Sequence, residues 1–133
     1  EIEKISEVIM NNEVKAVIIS NTSNVTRENL IDIQKHEKGG LSGKPIEDKS
    51  NLLINKFYKI LKNKIKIIGV GGIDSGLSAY NKFLAGADFI QLYTGMVYKG
   101  PNIVNIIKND LCEILLKEGV KNFTEIVGNK SNS

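Results

Sequence analysis

The chain has 133 residues, a formal net charge of +3, 41% hydrophobic residues and 25% charged residues, which predicts one soluble globular domain. The lysines are interspersed with acidic and apolar residues, so the charge favours a solvated surface over a nucleic-acid-binding patch. No apolar run approaches the roughly 18 residues that a membrane-spanning helix needs, and we expect this segment to be soluble.

The chain contains a single cysteine, Cys112, and a single histidine, His36. An intrachain disulfide is therefore excluded, and no zinc site of the usual cysteine and histidine spacing can form, so we expect no metal. Cys112 stands at helical spacing beside apolar residues, which predicts a buried structural thiol rather than a nucleophile. His36 lies in a polar stretch and is predicted to be a solvated loop residue.

The first part of the chain is predicted to contain a helix, a strand and a long loop. Apolar residues at helical spacing predict an amphipathic helix over residues 1–11, and a β-branched apolar run predicts a buried parallel strand over residues 14–20. The polar segment 21–48 follows, with a short helix near residues 27–34. Because about 25 residues is long for a connection, we expect this segment to be a functional loop.

The rest of the chain alternates between the two patterns. A helix, a strand, a helix, a strand and a helix are predicted in that order over residues 49–62, 65–70, 75–85, 88–93 and 102–118. Asp74 or Ser75 is expected to cap the middle helix. Pro101 precedes the first turn of the last helix, and Gly119 follows its end, as each residue type prefers.

The order of these elements is a helix followed by three strand–helix units. Continuously apolar strands alternating with helices predict an α/β fold with a parallel sheet covered by helices. Two architectures fit this order, a segment of a β/α barrel and a doubly wound sheet. The chain opens at Glu1 inside a helical pattern without a cap, so we expect it to be part of a longer protein.

Two glycine turns favour the barrel. The run from Gly69 to Asp74 lacks the dinucleotide-binding fingerprint, because aspartate stands where that motif requires its last glycine. Small turns nevertheless end two consecutive strands, Gly71-Gly72 and then Tyr93-Thr94-Gly95. In β/α barrels a phosphate is commonly bound between the loops after the last two strands. Glycines let the backbone approach the anion, and amides at such turns donate hydrogen bonds to it.

The polar cluster from Ser20 to Ser23 follows the first strand, and two interpretations of it remain open. Asn21 is a common turn-forming residue at the start of a loop. The same asparagine also stands where a barrel strand reaches the ligand-binding face. Its amide is both a donor and an acceptor, which suits a planar ligand with amide and carbonyl groups.

These motifs together resemble those of the class 2 dihydroorotate dehydrogenases. Four blocks occur in the family's order, Asn21-Thr22-Ser23, Gly39-Gly40-Leu41-Ser42-Gly43, Ile68-Gly69-Val70-Gly71-Gly72-Ile73 and Gln91-Leu92-Tyr93-Thr94-Gly95. The run from Val97 to Pro101 is similar to the family's closing signature. The likeness covers nearly the whole chain. It implies that residues 1–133 are the incomplete C-terminal segment, about strands 6–8 with their helices, of a TIM-type (β/α)8 barrel.

The resemblance implies roles for eight residues. Asn21 and Thr22 would contact the orotate ring. The FMN site would be formed in part by Ser20, Gly43, Gly71, Gly72, Tyr93 and Thr94. Arg27 also matches the family pattern, either as a functional residue or as one that only orders the loop. In the family reaction a serine base removes a proton from dihydroorotate, the flavin accepts a hydride, and a quinone reoxidises the flavin during de novo pyrimidine biosynthesis.

The resemblance also implies what these residues lack. The family's serine base precedes the segment that begins at Glu1, so no catalytic residue is assigned here, and the remainder of the barrel is an expected partner. We therefore expect the isolated chain to be inactive and not to retain FMN. The full-length protein would be peripheral, on the cytoplasmic side of the inner membrane. The alternatives are a non-catalytic remnant or half-barrel phosphate-binding module, and another FMN-dependent barrel oxidoreductase.

Overall fold

The computed structural model describes residues 1–24, 27–28 and 30–129. The helices are α1 (Ile2–Asn11), α2 (Glu47–Leu61), α3 (Gly76–Ala85), α4 (Thr94–Lys99) and α5 (Ile103–Lys117), and the strands are β1 (Ala16–Ile19), β2 (Lys66–Val70) and β3 (Phe89–Gln91). Short 3-10 helices cover Ile33–His36, Lys44–Ile46 and Phe123–Ile126. Within the described residues, no helix is both long enough and apolar enough to cross a bilayer.

The three strands form one parallel sheet in the order β1-β2-β3. This confirms the predicted α/β fold with a parallel sheet. The register aligns Ile18 with Ile68, and Ile68 in turn with Phe89, in one row across the sheet. Because parallel strands run in the same direction, the loops that follow all three strands meet at one edge of the sheet. We call this the carboxyl edge.

The helices cover one face of the sheet. Strand residues alternate between the two faces, and the helix-side residues Ile19 and Ile67 are buried in a cluster with Ile54 and Leu61 of α2. A second cluster, built around Ile73 and Ile103, packs α3 against α5. On the opposite face Ile18 is 55% exposed and Phe89 is 56% exposed. Only one face of the sheet is therefore buried within this chain.

The start of α3 is fixed by a capping box. The Ser75 side chain accepts a hydrogen bond from the backbone N–H of Ser78, and the Ser78 side chain reaches back to the backbone of Ser75. This reciprocal arrangement satisfies two amide groups that have no partner within the helix. Ser75, rather than Asp74, is thus the cap among the two residues predicted for it.

Three local predictions differ from the structure. Cys112 is exposed rather than buried, because α5 buries Ile103 and Ile107 while Cys112 lies on another side of the helix. The short helix predicted near residues 27–34 includes residue 29, which is outside the described residues, and the described 3-10 helix begins later, at Ile33. Helix α4 was not predicted. His36 is exposed, as predicted.

Candidate functional site

A cavity of about 320 Å³ lies at the carboxyl edge of the sheet. We call it the edge cavity. Its lining includes all eight residues for which the sequence predicts a ligand-binding role, namely Ser20, Asn21, Thr22, Gly43, Gly71, Gly72, Tyr93 and Thr94. They come from four separate segments, the loops after the three strands and the end of the long loop. The structure brings these residues together, while the role of each one stays a prediction.

The turn after β2 can be formed only by residues without side chains. Gly71 and Gly72 have φ angles of 112° and 79°, a region in which other residues are strained. A Cβ atom on Gly72 would lie 2.6 Å from the Cα of Glu47, at the start of α2. The turn therefore packs directly on the backbone of α2 and exposes its own backbone to the edge cavity.

The turn after β3 leads directly into α4. This helix begins at Thr94, and no side chain caps its first turn. The amides of Met96 and Val97 donate to the Tyr93 carbonyl, whereas those of Thr94 and Gly95 precede the first helical hydrogen bond and can donate to a ligand. The Thr94 hydroxyl lies 3.0 Å from the Ser42 hydroxyl, and a Cβ on Gly43 would approach the Thr94 methyl to 2.8 Å. The end of the long loop is thus seated against the start of α4.

The cluster after β1 forms the third side of the edge cavity. The Asn21 side-chain oxygen accepts a hydrogen bond of 2.8 Å from the backbone N–H of Thr22. This contact fixes the amide plane, so the Asn21 NH₂ group and the second lone pair of its oxygen remain for a ligand. A Cβ on Gly40 would collide with the Thr22 side chain. Asn21 lines the edge cavity, as the ligand-binding interpretation requires, while its role there stays a prediction.

Arg27 holds the long loop together. Its guanidinium donates to the backbone carbonyls of Lys35, Glu37 and Gly39. An antiparallel bridge between Ser23 and Leu41 closes the same loop. Arg27 therefore performs the ordering role that was one of its two predicted roles.

A second cavity of about 640 Å³ adjoins the first and shares Ser42, Gly43, Ile73, Thr94 and Gly95 with it. At its rim Asp74 lies 3.4 Å from the Lys44 ammonium and 3.6 Å from that of Lys99. Burial raises the pKa of the Asp74 carboxyl, but the two lysines outweigh this effect and hold it below its ordinary value. Lys44 also pairs with Glu47, and this hydrogen bond raises the pKa of the lysine.

Sequence reasoning missed the residues behind the turn after β2. Ser50 of α2 and Lys82 of α3 are both buried and both contact the backbone of this turn. Lys82 falls on the buried side of α3, between Ala79 and Phe83. The available signal was a lysine at a position of α3 that the helical period predicts to be buried.

The fold is that of an α/β protein with a parallel sheet and a cavity at its carboxyl edge, the place where such folds commonly bind ligands. The family model for dihydroorotate dehydrogenase matches residues 1–115. The chain belongs to this family, which confirms the family predicted from its motifs.

Individual relatives agree with this assignment. The dihydroorotate dehydrogenase (quinone) of Idiomarina loihiensis is 45% identical over 111 residues, covering 84% of this chain and 33% of that protein. The mitochondrial enzyme of that name from Oryza sativa subsp. japonica is 39% identical over 130 residues, covering 96% and 28%. The crystal structure of ligand-free DHODH from Eimeria tenella superposes with a TM-score of 0.94 at 33% identity, covering 99% of this chain and 36% of that one. The chain spans about a third of the length of the curated relatives it matches.

Proposed function

We propose that this chain supplies the phosphate-binding and substrate-amide-binding part of a quinone-dependent dihydroorotate dehydrogenase. In this proposal its three strand–helix units are about the sixth to eighth of a (β/α)8 barrel. The whole protein oxidises dihydroorotate to orotate with FMN as its cofactor, as a peripheral protein on the cytoplasmic side of the inner membrane. The observation that carries the proposal is that all eight residues matching the family's motifs line one cavity.

The lining of the edge cavity suits the phosphate end of FMN. The Gly71-Gly72 turn presents backbone without side chains to the cavity, and the start of α4 with the Thr94 hydroxyl lines it as well. Among the described residues of the lining there is no aspartate or glutamate to repel an anion. Backbone amides in this arrangement are typical phosphate ligands. We assign the phosphate to Gly71, Gly72, Tyr93 and Thr94, and a neighbouring part of the flavin to Ser20 and Gly43.

The substrate assignment depends on Asn21. Orotate has a planar ring with alternating carbonyl and N–H groups, so its recognition requires a donor and an acceptor side by side. The Asn21 amide offers both, and its bond to the Thr22 backbone sets its orientation. A fixed amide lowers the entropy lost on binding and aligns the ring for reaction.

The chemistry is divided between this chain and other parts of the protein. When bound, FMN supplies the acceptor for the hydride that leaves the substrate, and a quinone then takes the electrons. The residues described here bind the phosphate, orient the substrate ring and order the loop that covers them. We place the general base outside these 133 residues, in keeping with the family resemblance.

The first test compares the whole protein with the isolated 133-residue chain. We expect the whole protein to elute from gel filtration with stoichiometric flavin, and the isolated chain to elute without it. Asn21→Ala in the whole protein should lower kcat/KM for dihydroorotate by about 10- to 100-fold, because one or two hydrogen bonds to the ring are lost, and should leave the flavin content unchanged. Asn105→Ala is the matched control, since Asn105 is an exposed residue of α5.

Two outcomes would contradict the proposal. A whole protein that is isolated without flavin and does not bind added FMN would exclude the cofactor assignment. A protein that binds inorganic phosphate in the edge cavity but does not oxidise dihydroorotate would favour the non-catalytic phosphate-binding module instead.

A further inference from the structure

Lys82 is a completely buried lysine behind the turn after β2. Its relative exposure is 0%, and it is absent from the lining of the edge cavity. Its aliphatic stem crosses Gly69, where a Cβ atom would approach the Lys82 side chain to 2.7 Å. Gly69 is therefore glycine because the lysine passes there. The stem lies on the helix side of the sheet, and the turn itself separates the ammonium group from the cavity.

The ammonium group ends on the backbone of the turn. Lys82 Nζ donates to the carbonyl oxygen of Gly71 at 2.7 Å and to the Ser50 hydroxyl oxygen at 3.1 Å. In a planar trans peptide the C=O and the following N–H point in opposite directions. Because Lys82 holds the Gly71 carbonyl toward the helices, it directs the N–H of Gly72 away from them, on the side where Gly72 lines the cavity.

Ser50 orients the peptide between Val70 and Gly71 in the same way. Its hydroxyl donates to the carbonyl of Val70 at 2.6 Å, and the same carbonyl accepts from the backbone N–H of Ser20 at 3.2 Å. The Val70 carbonyl is thus held toward β1, so the N–H of Gly71 points toward the side of β3. The two successive amides are oriented by a single chain of hydrogen bonds that begins at Lys82 and includes Ser50.

The charge of Lys82 is not neutralised by a direct partner. In the described part of the chain its hydrogen bonds go to a hydroxyl and a carbonyl, not to a carboxylate. Burial lowers the pKa of Lys82 to about 8, while the carboxylates of Glu47 and Asp48 act in the opposite direction. The ammonium is therefore charged at neutral pH, one peptide away from an anion-binding turn. An anion in the edge cavity would stabilise that charge.

We propose that Lys82, with Ser50, is a positioning residue that orients the amide of Gly72 toward the phosphate of the cofactor, holds the preceding peptide in place and adds a buried positive charge behind the turn. This inference rests on the proposed function, since it assumes that a phosphate binds in the edge cavity. It assigns a role to two residues that do not contact the cavity. It also explains why residue 69 is a glycine, since the stem of Lys82 crosses the strand there.

The test separates phosphate binding from binding of the rest of the flavin. In the whole apoprotein, dissociation constants are measured for FMN and for riboflavin, which lacks the phosphate. Lys82→Met should weaken FMN binding by about 10- to 100-fold, as expected when a charge-assisted hydrogen bond is lost, and should change riboflavin binding far less. Ser50→Ala should also reduce the preference for FMN over riboflavin. Lys66→Met is the control, because Lys66 is an exposed lysine at the opposite end of β2.

The possible results distinguish this inference from the proposed function. If the wild-type apoprotein binds riboflavin as tightly as FMN, the phosphate site itself is wrong. If the wild type prefers FMN and both variants keep that preference, the site stands and the role of Lys82 is overturned. An equal loss of both ligands in both variants also overturns the inference, because it indicates a general structural role. If Lys82→Met does not fold, Ser50→Ala decides between these results.

Discussion

Single residues at the turn after β2 show which parts of the site a sequence can reveal. Gly71 and Gly72 were identifiable because both have a positive φ, and a Cβ on Gly72 would also collide with the backbone of Glu47. Lys82 was not identified, since a buried ammonium depends on acceptors that come from two other segments. Cys112 was wrongly predicted as buried because helical spacing does not tell which of several apolar sides of α5 packs against α3.

We expect Gly72→Ala to destabilise the protein more than an ordinary glycine substitution does. Its φ of 79° strains an alanine, and the new Cβ would lie 2.6 Å from the backbone of Glu47. Strain costs about 1–3 kcal/mol of unfolding free energy, and overpacking adds a similar amount. The measurement is urea denaturation of the whole protein.

Gly119→Ala is the matched control for this variant. Gly119 has a φ of 70°, and nothing lies within 4 Å of the Cβ that alanine would add. Gly119→Ala therefore measures the cost of strain alone, about 1–3 kcal/mol. Equal losses of stability in the two variants would mean that Gly72 does not pack on the backbone of α2.

Entire elements were predicted well where a period of hydrophobicity identified them. The three strands and the long helices α2, α3 and α5 lie where the sequence indicates, although hydrogen bonding makes β1 and β3 shorter than their apolar runs. Helix α4 was missed because its six residues are too few to show a helical period. Within α2 the bounds alone do not indicate the buried face: Leu52 is exposed, whereas Ile54 is buried.

The long loop has an order that its polar composition did not indicate. Arg27 binds three of its carbonyls, and we expect Arg27→Met to increase opening of the loop. Losing these charge-assisted hydrogen bonds should lower the free energy of loop opening by about 1–3 kcal/mol, which raises the open population and the cleavage rate by roughly 5- to 150-fold. The measurement is the rate of tryptic cleavage after Lys35 and Lys38, followed by mass spectrometry.

Cleavage after Lys121 in the same digest is the internal control, since Lys121 is exposed and lies outside the loop. Arg27→Lys keeps the charge but not the planar guanidinium, and it should behave much like the methionine variant. If both variants were cleaved after Lys35 and Lys38 at the wild-type rate, another contact would order the loop.

The molecule as a whole has a sheet with one buried and one exposed face. The sequence predicted a parallel sheet whose strands are apolar on both sides, whereas the helices of this chain cover only one of those sides. Ile18, Ile68 and Phe89 form an apolar row across the uncovered face. In the proposed barrel this row faces the interior, where strands from the rest of the protein cover it.

This arrangement predicts that Ile18→Lys has opposite effects in the isolated chain and in the whole protein. In the isolated chain Ile18→Lys should reduce self-association, because it places a charge in an exposed apolar row. In the whole protein the same lysine would be buried without a partner, which costs several kcal/mol of unfolding free energy. Sedimentation velocity tests the first effect, and urea denaturation of the whole protein tests the second.

Leu116→Lys is the control, because Leu116 is 77% exposed on α5 and its substitution should have little effect in either setting. If Ile18→Lys left the whole protein as stable as Leu116→Lys does, the apolar row would be uncovered there too, and the proposed barrel would be wrong.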